Sequence, residues 1–141
     1  MISGAAMASQ NNARSSPVDG AWAGWWTSFS PASRGFLYEA TMTLSMDSKN
    51  LVDGKINWKL LASPRPAEQA KVGLSAVEFV RGSYDPASRV IRLAGYRKDD
   101  PNAVIGLDRY HLVVSDNGQV IGGITESQNT WQGVLSTTRT P

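Results

Sequence analysis

Five tryptophans, Trp22, Trp25, Trp26, Trp58 and Trp131, are the strongest chemical signal in this 141-residue chain. An indole offers a large polarizable face and one N–H donor, so several of them converging on a cavity make a stacking platform or the wall of a ligand pocket. In an extended segment Trp22 and Trp26 share one face, while Trp25 shares the other with Phe29. One set therefore lines an interior, and the other lies at the surface, beneath a loop or in a dimer interface. Extended to the tyrosines, this reading gives a ligand-binding set of Trp22, Trp26, Trp58, Tyr84, Tyr96, Tyr110 and Trp131 around a mouth that takes an apolar or aromatic small molecule. The alternative is that the same aromatics fill a core and plug its ends.

Acid–base and metal chemistry have few candidates. One histidine, His111, and no cysteine supply too little imidazole and thiolate for a conventional triad or a zinc site. Alternation over residues 108–114 puts Asp108 and Tyr110 on the face of Leu112 and Val114 and turns Arg109, His111 and Val113 outward, so His111 is not expected to be catalytic. Carboxylates remain. Glu39, Glu78, Glu126 and Asp108 could enter a lumen, where desolvation raises a pKa and creates a general acid or base; Glu39 falls on the outward face, and for each the competing reading is a solvated strand residue or an ion pair. The segment Asp47-Ser48-Lys49-Asn50 with Asp53-Gly54 has the wrong spacing for a calcium loop and no closing glutamate. No catalytic residue, metal site or cofactor is assigned.

Length and composition say what must position these groups. At 41% hydrophobic the chain can bury one core but not two. Charged residues are only 18%, and the shortfall from the usual quarter is filled by Ser, Thr, Gly and Asn, which suits strands and turns. Fourteen basic and twelve acidic residues give a formal charge of +2, scattered singly. Phosphate-driven binding needs a basic stripe, and Arg89, Arg92, Arg97 and Lys98, followed by Asp99 and Asp100, read instead as a solvated edge strand and loop. No nucleic-acid partner is expected. No apolar run approaches the roughly 20 residues that span a bilayer, so no membrane is expected either. Residues 1–9 lack the basic and apolar regions of a secretory signal, and a cytoplasmic, disulfide-free protein is the expectation.

Residues 1–18 are small, polar and Asn/Ser-rich, and read as a disordered tail; a β-barrel domain is expected over 19–141. From there the pattern has period two. In residues 36–46, Phe36, Tyr38, Ala40, Met42, Leu44 and Met46 alternate with polar residues, and residues 52–60 repeat the pattern with Val52, Gly54, Ile56, Trp58 and Leu60 across the turn Asp47-Ser48-Lys49-Asn50. Further strands are predicted over 21–29, 76–84, 89–96, 109–115, 119–126 and 130–138. Asp85-Pro86-Ala87-Ser88 and Asp116-Asn117-Gly118 join strands as hairpin turns, because proline presets φ and Asn-Gly tolerates positive φ. Two hairpins echo each other, with Gly54 and with Gly122 and Gly123 early in the returning strand, where glycine marks a bulge or sharp coiling. Residues 62–75 predict a single helical turn over one barrel mouth or a mobile lid, and residues 97–107 a long polar loop.

Gly20-Ala21-Trp22 opening the first strand, the hairpin succession, and Arg139 just beyond the last strand resemble the up-and-down barrels of lipocalins and avidins, the calycins. In lipocalins an arginine at that place packs over the first-strand tryptophan. A Thr-Asp-Tyr motif, a disulfide, a signal and a recognisable set of biotin contacts are all missing. The resemblance implies an all-β, antiparallel, about eight-stranded barrel with an internal pocket open at one end, and no particular ligand.

Three functions fit these residues. The leading one is a non-catalytic binding module for an apolar or aromatic small molecule or a protein partner. The second is a cofactor-free lyase, cyclase or isomerase in which a lumen carboxylate or Tyr110 moves a proton. The third is a structural domain that self-associates through its outward tryptophans, as in a homodimer.

Overall fold

The computed structural model describes residues 16–127 and 131–141; residues 1–15 of the expected tail lie outside them. Eight strands follow in hairpin order: β1 Gly20–Ser28, β2 Leu37–Met46, β3 Leu51–Ala62, β4 Ser75–Asp85, β5 Val90–Asp99, β6 Asp108–Val114, β7 Val120–Ser127 and β8 Gln132–Arg139. A 3-10 helix, Pro66–Lys71, sits between β3 and β4, the helical turn expected over one mouth. Each strand pairs antiparallel with its successor, and β8 returns to β1 from Trp22↔Arg139 to Ser28↔Gly133. The sheet is a closed up-and-down barrel, so no strand is left as an edge.

Period two holds around the circuit except at register shifts near Leu61 in β3 and Tyr96 in β5, because one pleated face of every strand must fill the lumen. Trp22, Ala40, Met42, Ile56, Val80, Ile91, Leu112, Ile121 and Leu135 are fully buried. Gly54 and Gly123 mark tight coiling rather than bulges. A Cβ on Gly54 would lie 2.2 Å from the Thr43 carbonyl oxygen and one on Gly123 2.1 Å from that of His111, with no register shift at either position. The turns follow their chemistry. The Asp47 carboxylate accepts from the amides of Lys49 and Leu51, that of Asp85 accepts from the Ala87 amide and the Ser88 hydroxyl, and Gly118 takes φ +72°.

One end of the barrel is sealed. Val18, expected within the tail, is instead fully buried, and its carbonyl accepts from Trp22 Nε1 at 3.1 Å. The Arg139 guanidinium lies 4.2 Å from the Trp22 ring centroid. It donates to the carbonyls of Gly118 (3.0 Å), Asp19 (2.5 Å) and Pro17 (3.2 Å). A planar cation that stacks and bonds in three directions ties residues 17–19, β8 and the β6–β7 turn together.

Arg139→Ala should lower unfolding stability by about 2–3 kcal/mol in urea titration, the sum expected of a cation–π contact and charge-assisted hydrogen bonds. Arg139→Lys should recover less than half of the loss, since an ammonium cannot stack and fork at once.

Candidate functional site

At the opposite end the strands enclose a cavity of about 370 Å³ with an open mouth. Its two sides differ in chemistry. Strands β1, β2 and β3 and the segments just before β2 and β8 contribute an aromatic side, Trp26, Phe36, Tyr38, Trp58 and Trp131. Trp26 and Trp58 each meet Tyr38 edge to face, at centroid distances of 5.5 and 5.9 Å. Phe36 stacks on Tyr38 at 6.3 Å and meets Trp131 at 5.0 Å. Polar tips hold these rings in place: Trp26 Nε1 donates to Thr125 Oγ1 at 2.6 Å, and the Tyr38 hydroxyl donates to the Val104 carbonyl at 2.5 Å. The second contact draws residues 100–107 over the mouth. The Arg65 guanidinium lies 5.4 and 5.0 Å from the Phe36 and Trp131 centroids and pairs with Glu68 at 3.6 Å.

Strands β4, β5 and β6 supply an acidic side. Glu78 follows the inward alternation of Ala76 and Val80 and is 1% exposed. Its Oε1 accepts from Trp58 Nε1 at 3.0 Å and from the Tyr110 hydroxyl at 2.5 Å, and its Oε2 accepts from the Asp108 amide at 3.0 Å. The carboxylate has room only because residue 95 is glycine: a Cβ there would lie 2.0 Å from Oε2. A bulge at Tyr96 follows, since Phe79 pairs with Arg97 while Val80 pairs with Gly95. The extra residue lets both Gly95 and Lys98 face the lumen, an effect bulges commonly have beside sites. Lys98 Nζ then donates to the Ile105 carbonyl at 2.8 Å and pairs with Asp100 at 3.4 Å.

Burial pushes the Glu78 carboxyl upward, and the hydrogen bonds from Asp108, Tyr110 and Trp58 with the Lys98 charge pull it partly back. Asp108, which lines the cavity, is pushed up to about 7 by burial and by the neighbouring Glu78 charge. Burial, reinforced by the same two carboxylates, also drives the Tyr110 hydroxyl well above its ordinary range. The arrangement can hold an aromatic body, accept hydrogen bonds and exchange a proton near neutrality.

Of the residues expected around the mouth, the structure brings Trp26, Trp58 and Trp131 to the cavity. Tyr110 is buried behind Glu78 and holds it instead of lining the space. Trp22 and Tyr84 are core residues toward the sealed end: Trp22 carries Arg139, and the Tyr84 amide bonds Asn50 in the β2–β3 turn. Tyr96 is outside the barrel, 40% exposed beneath the Arg81 guanidinium at 3.7 Å. Its parity with Ala94, opposite to Ile91 and Leu93, already points it outward. Glu39 and His111 are exposed, and Glu126 pairs with Arg109 at 3.1 Å. Trp25 is 60% exposed and Phe29 is outward too; Ile124 and Val134, cross-strand partners, share that outer apolar surface.

No family model matches the chain, and no curated protein matches it. No helix among the described residues is long and apolar enough to cross a membrane. Among the described residues no group of three His, Cys, Asp or Glu side chains could hold a metal ion.

Folded Asp108 keeps its proton to about pH 7, whereas in an unfolded chain an aspartate releases it near about pH 3.9. Between those values the folded state binds more protons, so this group's contribution to stability falls as pH rises from about 4 to 7 and stays low above that. Asp108→Asn should therefore stabilise the fold by roughly 1–3 kcal/mol at about pH 8 and by almost nothing near pH 4, read from urea unfolding at the two pH values.

Proposed function

We propose that this protein is a non-catalytic binding module that takes a small aromatic molecule into the open end of its barrel. The observation that carries the reading is a cavity of about 370 Å³, walled on one side by Trp26, Phe36, Tyr38, Trp58 and Trp131, in a barrel whose other end is sealed by Arg139 over Trp22. The volume lies in the range of small-molecule sites, and such sites combine apolar walls with a few fixed polar groups. The likeness of Gly20-Ala21-Trp22 and Arg139 to the lipocalin and avidin pattern supports the same reading. Trp26 and Trp58 are locked edge to face on Tyr38, and all three are hydrogen-bonded at their tips, so little ordering of these rings is left to oppose binding.

A second reading has one observation in its favour: Asp108 is a cavity carboxyl whose proton is exchangeable near neutral pH, next to Glu78 and Tyr110. A cofactor-free isomerase or lyase needs a group of that kind.

Isothermal titration calorimetry with indole should show one saturable site. Trp131→Ala should weaken it about fivefold to tenfold, in line with loss of one aromatic contact, while Trp25→Ala, on the outside, should leave it unchanged. Heat that never saturates, or equal effects of the two variants, refutes the binding reading. For the second reading, phenylacetone in heavy water should take up deuterium next to its carbonyl, and Asp108→Asn should abolish the uptake.

A further inference from the structure

We propose that the cavity selects a protonated aromatic amine, its ring against Trp26, Tyr38, Trp58 and Trp131 and its ammonium on the Asp108 carboxylate beside Glu78. The selection rests on the cavity being a binding site, and it adds the ligand's charge and polarity.

An accounting of charges and donors carries the argument. Two carboxylates, Glu78 and Asp108, face one side of the cavity, and among the described residues no cation lies within ion-pair distance of either. The positive groups nearby are engaged elsewhere. Lys98 is held by Asp100 and the Ile105 carbonyl, Lys71 donates to the Ala103 carbonyl at 3.2 Å, and Arg65 pairs with Glu68. Glu78 receives three donors from the protein. Among the described residues no donor reaches the Asp108 carboxyl, yet it is not a sealed, unsatisfied group. It is an acceptor left open to the cavity, where a ligand donor can reach it.

The best complement to such a carboxylate in a partly desolvated site is a charged donor. An ammonium carries three N–H groups and is attracted to the faces of the surrounding rings as well. The aromatic tier already holds one cation, since Arg65 lies over Phe36 and Trp131 at its rim. A carboxylate ligand would meet Asp108 and Glu78 as like charges, and a neutral ligand would leave Asp108 without a counter-charge. The titratable groups that line the cavity with Asp108 are Glu78 and Lys98 from β4 and β5, Tyr38 from β2, and Glu68 and Lys71 from the 3-10 helix, with Tyr110 from β6 bound to Glu78 behind them. With burial and Glu78 together delaying its ionisation, selection for an amine strengthens as pH rises through neutrality, while an alkylammonium stays charged.

The test compares tryptamine, tryptophol and indole-3-propionate, three ligands with one ring and different charge, by calorimetry on the full chain at low salt. Tryptamine should bind at least about tenfold tighter than tryptophol, with indole-3-propionate weakest. The tryptamine-to-tryptophol ratio should be larger at about pH 8 than at about pH 5.5, and should fall close to one in Asp108→Asn. Equal binding of tryptamine and tryptophol overturns the charge selection and leaves the cavity as a binding site. Tightest binding by indole-3-propionate overturns it in favour of a lysine anchor. Failure of all three to bind overturns the cavity reading itself, and a ratio unchanged in Asp108→Asn overturns the placement of the ammonium.

Discussion

Hydrogen bonding between β1 and β8, from Trp22↔Arg139 to Ser28↔Gly133, turns a run of hairpins into a tube with an inside. Without that pairing, the inward residues of eight strands would be one face of an open sheet, and both outer strands would present unpaired amides and carbonyls. With it, each inward side chain faces others across a lumen, and Arg139 is brought over Trp22 to seal one end. The open end is what remains once the sealed end is full.

Inside the tube, the two halves of the open end depend on each other. Trp58 belongs to the aromatic side, but its indole N–H is spent on Glu78 of the acidic side. Tyr110, wholly buried, spends its hydroxyl on the same carboxylate. A buried carboxylate with three donors is held in one place, and the Asp108 amide, being one of the donors, places the Asp108 carboxyl next to it. Burial raises Asp108, and the neighbouring Glu78 charge that adds to it is brought close by the same hydrogen bond that satisfies Glu78. Acidic groups kept together in this way oppose folding near neutral pH, a tension typical of binding and catalytic sites.

The mouth is organised by backbone acceptors as much as by side chains. Asp100 accepts from the amides of Val104 and Ile105 at 2.7 and 2.9 Å. Tyr38, Lys98 and Lys71 then reach the carbonyls of Val104, Ile105 and Ala103. Of residues 97–107, expected as one long polar loop, 97–99 belong to β5 and 100–107 are thereby fastened to β2, β5 and the 3-10 helix. They form a shaped rim from which Val104 enters the core.

The amino-acid sequence by itself determined the number of strands, their order and almost all of the inward and outward assignments. Alternation of apolar and polar residues is a local property with a period of two, and Trp22, Trp26 and Trp58 inward or Trp25 and His111 outward could be read from it directly. It left Glu78 as one of four carboxylates that could enter a lumen, and only the structure separates it, 1% exposed, from the exposed Glu39 and the ion-paired Glu126. Parity could not tell which end of the tube an inward residue occupies, and so could not separate Trp22 and Tyr84, at the sealed end, from Trp26, Trp58 and Trp131. That separation depends on registers between distant strands. The tertiary structure alone decided the rest: the bulge at Tyr96 that brings Lys98 inward, and the empty volume at Gly95 that admits Glu78. Each depends on where one backbone meets a side chain from another strand, and a two-residue rhythm carries no record of that meeting.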